Sequence, residues 1–266
     1  MVSMRTRPGT RRLAALSVLA VLTSAGLAGC GTQPAAPAPG PGSTSAASTA
    51  AAPLAVPAPS SAEMVSSKGS AAAAQLRIGM PALSEAEARK KLDALKVSAT
   101  GSTSGYSRTK FPHWRDASTW GWPVAPSNSC NARNAALYRD GSKVTLSSTC
   151  TKLKGTWVDP YGGQTLTSVS DVDIDHIVPL AEAWRSGAKD WSTAQRTAYA
   201  NAPLVLVSAD DSLNQSKGDK DPSAWKPPLK TSWCDYAKRW TLTKSTYKMS
   251  VDAAEKSALA SMLSSC

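Results

Sequence analysis

The chain has 266 residues, a formal net charge of +11 and 42% hydrophobic residues, with a mean hydropathy of -0.24. These values exclude a polytopic membrane protein and a wholly disordered chain, and the length allows one ordinary domain with extensions or two small ones. The charge is uneven: residues 1–100 hold ten basic and four acidic residues, which leaves residues 101–266 at +5, compatible with a polyanionic partner but not diagnostic of one.

Residues 1–29 read as an export signal. Arg5, Arg7, Arg11 and Arg12 precede an apolar run over 13–27 that is too short to span a bilayer comfortably, and small residues follow in Leu27-Ala28-Gly29-Cys30. The ending resembles a bacterial lipobox. That resemblance implies cleavage before Cys30, diacylglycerol on its sulfur, and anchoring at the extracellular face of the cytoplasmic membrane. An ordinary signal ending by chance in Cys is the simpler alternative, and Arg11-Arg12 alone is a weak hint of twin-arginine export. Residues 30–83 are expected to form a disordered tether, because 31–75 is Ala, Pro, Ser, Thr and Gly with almost no charge. All nine Trp, six Tyr and the single Phe lie between Tyr106 and Tyr247, so the core is expected within 101–266. Between them, 84–103 is a lead-in with a short helix, opened by a capping box of Ser84 and Glu87.

Further along, 104–126 reads as loop, 130–140 as a helix, and 143–148 and 155–158 as short strands around an Asp159-Pro160-Tyr161-Gly162-Gly163 turn. Residues 165–174 alternate as a strand whose register slips midway. A helix over 179–187, a second opened by Ser192 and Gln195, a buried strand over 203–208 and helices over 233–248 and 251–263 complete an α+β pattern. With Cys30 lipidated, Cys130, Cys150, Cys234 and Cys266 remain, an even number that favours two disulfides in an exported protein. Of three connectivities, the sequential one is expected. The alternative, a zinc site, lacks the close CxxC spacing such sites usually show.

Two polar clusters carry the chemistry. Asp171, Asp173 and Asp175 alternate along an extended stretch that ends in His176, one of only two histidines. Three carboxylates beside one imidazole are costly unless a cation is present, although a solvated acidic edge strand would look the same. About forty residues later stands Asp210-Asp211-Ser212-Leu213-Asn214-Gln215-Ser216-Lys217-Gly218-Asp219, which alone could be an exposed loop. His113, among Phe111, Pro112 and Trp114, reads as a packing or surface histidine. Most tryptophans, Trp184, Trp191 and Trp225 among them, read as core.

Taken together, the stretches DIDHIVPLAEAWRSGAKDW (173–191) and RTAYANAPLVLVSADDSLNQSKGDKDPSAWKPP (196–228), with CNARNAALYRD (130–140), WVDPYGG (157–163) and the late cysteines, resemble the HNH endonucleases. The likeness is closest to the secreted bacterial branch whose domain type also ends the GmrSD restriction enzymes, and it covers most of 104–266. It implies a ββα-metal core with added helices in an HNH nuclease domain over 104–266. It also implies His176 as general base, Asp175 and Asn214 as metal ligands, and Lys217 where the name-giving pattern has its last His. That departure removes a second imidazole ligand and any preference for zinc or nickel. The hard oxygen pair suits Mg²⁺, with Mn²⁺ second, and Lys217 could steady a substrate phosphate. Arg133 could contact phosphate, or make a surface salt bridge. The resulting expectation is a lipid-anchored, metal-dependent nuclease acting on nucleic acid, DNA before RNA, with no protein partner. An inactivated nuclease scaffold serving as a binding or envelope module is the main alternative, and a hydrolase of another phosphodiester polymer is a third.

Overall fold

The computed structural model describes residues 61–122 and 130–266, with the side chains of 61–66 excepted. The signal sequence, Cys30 and the tether up to residue 60 lie outside the described residues.

Residues 61–83 do not behave as a tether. Helix α1 (Ser61–Arg77) forms there and packs on the C-terminal helices, with Ala72 and Leu76 wholly buried. Alanine is the best helix former and i, i+4 spacing puts both side chains on one stripe; burying Leu76 alone contributes about 1.5–3 kcal/mol. The C-terminal end of α1 is received by the buried Arg239, which donates to the carbonyls of Leu76 (3.0 Å) and Ile78 (2.7 Å). Helix α2 (Glu85–Ala94) begins at the expected capping box and buries Ala88 and Leu92. The lead-in is therefore part of the domain. A core poor in aromatics at its N-terminal edge is completed by Ala and Leu faces instead.

Helix α3 (Ala132–Asp140) leads into an antiparallel meander of β1 (Ser142–Thr145), β2 (Lys154–Val158) and β3 (Thr165–Leu166), stapled by the disulfide Cys130–Cys150. The strand expected over 165–174 breaks where its alternation slips. A 3₁₀ turn (Val169–Asp171), capped by Ser168 on the Ser170 N–H, separates β3 from β4 (Val172–His176).

Strand β4 pairs antiparallel with β5 (Leu206–Asp210), from Val172 opposite Asp210 to His176 opposite Leu206. Val205 and Leu206 both donate to the Ala202 carbonyl, so 203–205 is a turn and the strand starts later than its apolar run. Helices α4 (Leu180–Arg185) and α5 (Thr193–Asn201) are inserted between the two strands. Helix α6 (Asp211–Lys217) follows β5 without a break, its first turn capped by Asp210 on the Leu213 N–H at 3.0 Å. The strand pair feeds two core clusters: Val172, Ile174 and Leu206 join α3 and Trp157, whereas Val207 and Ala209 join the larger cluster around Tyr199, Tyr236 and Trp240. Helices α7 (Trp233–Thr246) and α8 (Ala253–Leu263) close the molecule, joined by Cys234–Cys266. Both disulfides have the expected sequential pairing, and the domain is mixed α+β.

Candidate functional site

The end of β4, the C-terminal half of α6 and the 106–108 segment line one cleft of about 200 Å³, with Tyr106, Arg108, Asp175, His176, Asn214 and Asp219 as its polar lining. The alternation of β4 puts Asp173 and Asp175 on the face shared with α6, because their cross-strand partners are Ala209 and Val207. Asn214 answers from one turn of α6, donating through Nδ2 to Asp173 Oδ2 at 3.0 Å. Gly218, at a positive φ of 55°, ends the helix beside the cleft and donates to the Asn214 carbonyl at 2.9 Å.

His176 is only 4% exposed. One ring nitrogen, Nε2, lies 3.0 Å from the Ala200 carbonyl. A carbonyl only accepts, so Nε2 carries the proton and Nδ1 keeps the free lone pair. Burial, with the positive charges of Arg108 and Lys217 adding to it, pushes its pKa down to about 3, against the pull of the Ala200 hydrogen bond. The imidazole is thus neutral at physiological pH, held by a backbone carbonyl and not by a carboxylate.

Lys217 is placed differently from its expected role on a substrate phosphate. Its Nζ is wholly buried, donates to Asp175 Oδ1 (2.9 Å) and to the His176 carbonyl (3.0 Å), and lies 2.8 Å from Asp175 Oδ2. Burial lowers its pKa and Asp175 opposes that. The ammonium braces the end of β4, and Lys217 is not among the residues that line the cleft. Arg133, on α3, is not among the residues that line the cleft.

Asp175 also accepts from the Tyr161 hydroxyl at 2.5 Å. Tyr161 owes its position to the 157–163 turn, whose buried Asp159 accepts from the backbone of Tyr161 (3.2 Å), Gly162 and, across to β5, Asp210 (2.9 Å). Asp175 thus accepts one hydrogen bond on each oxygen, Lys217 on Oδ1 and Tyr161 on Oδ2, with a lone pair of each oxygen left over. The Asn214 side-chain oxygen remains open. Among the described residues no three His, Cys, Asp or Glu side chains gather into a cage for a metal ion. A hard divalent cation needs none: one or two carboxylates suffice, with water and substrate phosphate completing the shell. The oxygen donors of Asp175 and Asn214 fit such an ion and fit zinc poorly.

Several site residues were not anticipated. His113 packs, as one of its two expected readings had it, but beside the site: its ring lies 6.4 Å from that of His176, and its Nδ1–H donates to the Phe111 carbonyl at 2.8 Å. Trp114 lies 6.0 Å from the His176 ring and Tyr199 stacks at 6.5 Å. Asn201, fully buried at the end of α5, accepts from the Arg115 N–H and donates to the Pro112 carbonyl, both at 2.8 Å, and so holds this segment against the site. Aromatic density in 106–122 was the available signal. Nothing local in it says which strand it will face.

Residues 131–262 match the family described as GmrSD restriction endonucleases, C-terminal domain. A relative described as an "Uncharacterized secreted protein" of Arthroderma benhamiae is 46% identical over 185 residues, spanning 69% of this chain and 86% of the relative. No solved structure matches the chain significantly.

Proposed function

Because the chain belongs to the family of the GmrSD restriction endonuclease C-terminal domain, an HNH-type nuclease relationship, we propose that it is a metal-dependent endonuclease acting outside the cell. The observation that carries this reading is the neutral, buried His176, its Nε2–H held by the Ala200 carbonyl, lining a cleft shared with Asp175 and Asn214. In this reading β4, β5 and α6 form a ββα-metal core. Asp175 and Asn214 hold a divalent cation, Mg²⁺ or Mn²⁺, which when bound supplies positive charge to the scissile phosphate.

The residues of the chain divide the remaining work. His176 Nδ1 takes the proton of the attacking water, while Nε2–H stays on the Ala200 carbonyl and holds the ring still. The anionic substrate offsets the positive field of Arg108 and Lys217, which raises the basicity of the imidazole as the phosphate arrives. Lys217 and Tyr161 orient Asp175 inside a buried environment. Asn214 is fixed by Asp173. The substrate in this reading is DNA, and RNA, cut with little sequence preference. The secreted relative supports a location beyond the cytoplasmic membrane, and a lipid on Cys30 would keep the enzyme at that surface.

Incubation of the purified protein with plasmid DNA and with RNA, in Mg²⁺, in Mn²⁺ and in chelator, tests the reading. The expected result is nicking and linearisation that chelator abolishes. Cleavage indifferent to chelator would remove the metal, and no cleavage under any condition would leave a binding or envelope module in its place.

A further inference from the structure

Resting on the nuclease reading, we infer that Arg108 is the residue that receives the scissile phosphate in the cleft, a task its buried Lys217 cannot perform. A phosphodiester enters with one negative charge and gains a second as the pentacoordinate state develops, so cationic donors aimed at it stabilise the transition state most. Among the described residues that line the cleft, Asp175 and Asp219 are acidic and Arg108 is the one cation. The nearby Arg185 is already committed, donating to Glu182 (3.0 Å) and to Asp219 (2.9 Å). The Lys217 ammonium is spent on Asp175 and the His176 carbonyl.

Arg108 is exposed, and its guanidinium makes no hydrogen bond or ion pair among the described residues. It lines the cleft together with Tyr106, Asp175 and His176. The backbone beneath it is fixed. Arg108 opens a 3₁₀ turn (Arg108–Lys110) capped by Ser107 on the Thr109 N–H. The Lys110 carbonyl accepts from Arg196 of α5 at 2.9 Å. Phe111, fully buried, anchors the segment against Trp184 (6.4 Å) and Tyr199 (6.2 Å). An uncommitted guanidinium on a pinned backbone is suited to bidentate contact with two phosphate oxygens. This residue lies outside the 131–262 stretch matched by the family.

The test compares Arg108→Ala and Arg108→Lys with the unaltered chain in Mg²⁺-dependent cleavage of a labelled duplex. Duplex binding is measured over a NaCl series in the His176→Ala background, where turnover does not interfere. Arg108→Ala is expected to lower kcat/KM about 10²-fold, with Arg108→Lys between it and wild type. The slope of log K against log salt should fall by about 0.9, the signature of one lost phosphate contact, while the melting temperature stays put. An Ala variant that keeps wild-type cleavage, or loses cleavage with an unchanged salt slope, overturns the inference. If the unaltered chain binds but does not cleave, the nuclease reading fails on its own account. The salt slope then still decides Arg108: a reduced slope supports the phosphate contact and an unchanged slope overturns it. A chain that neither cleaves nor binds overturns both.

Discussion

Two lysines in this molecule, Lys217 and Lys244, are both wholly buried and both paired with carboxylates, yet their surroundings differ. Lys244 sits between α4, α7 and α8. It donates to Glu182 Oε1 (2.8 Å), Glu255 Oε2 (2.7 Å), Ser186 Oγ (2.8 Å) and the Ser250 carbonyl (2.9 Å). Trp240 Nε1 completes Glu255 at 2.6 Å. A space of about 10 Å³ lies beside this cluster, room for one water at most. Lys217 has a single carboxylate, and its neighbour His176, bonded through Nε2 alone, lines a cleft of about 200 Å³. The contrast separates staple from site. A buried ion pair holds elements in place; chemistry becomes available where a polar atom next door remains uncommitted and a substrate can reach it.

The sharpest way to break that comparison is His176→Ala. A general base contributes about 10²–10⁴-fold, so cleavage should fall by that factor while circular dichroism and duplex binding persist. Residual activity above about a tenth of wild type would take His176 out of the role. The opposite pattern is expected of Lys244→Met. Removing one partner from a buried ionic cluster costs about 3–5 kcal/mol, to be read from urea unfolding at pH 7, with cleavage per folded molecule unchanged. A loss under about 1 kcal/mol, or a selective loss of cleavage, would erase the distinction between the two lysines.

The smallest effect concerns pH. Burial pushes Glu255 up to about 7 from its ordinary 4.5, with Lys244 pulling the other way. Its native state therefore holds a proton that the unfolded chain has released, and its contribution to stability is full below pH 4.5 and lost as pH rises through about 7. His176, pushed down from 6.5 to about 3, has the opposite sign: its contribution is full above pH 6.5 and lost as pH falls toward 3. The two oppose each other between pH 4.5 and 6.5. Glu255→Gln removes one side, so its melting temperature should climb more steeply with pH over that window than the wild-type value. Parallel curves would show that the Lys244 cluster does not titrate there.

The features written locally in the sequence survive in the structure because short-range physics is enough to specify them. Both capping boxes form where Ser84–Glu87 and Ser192–Gln195 predicted them, and the helices of 130–140, 233–248 and 251–263 appear within a few residues of their periodicity. Even the slipping alternation of 165–174 was a true signal, marking the turn that separates β3 from β4. The four cysteines paired in order. Asp175, His176 and Asn214 were legible as a constellation through the family resemblance of the stretches that carry them, and the fold brings all three to one cleft.

What remained was decided by long-range packing. Composition marked 61–77 as tether, but Ala72 and Leu76 had a hydrophobic surface on α7 to dock against, and burial outweighed the cost of ordering the chain. No spacing rule could reveal that Lys217 would turn inward to Asp175, 42 positions away. Nor could it reveal that Asn201 would bind the Arg115 backbone across 86 positions and bring His113 and Trp114 beside His176. Residue type determined which groups were capable of catalysis. Tertiary structure decided which were consumed as internal partners and which were left open to a substrate, because a buried donor or acceptor must be satisfied by whatever the fold brings near it.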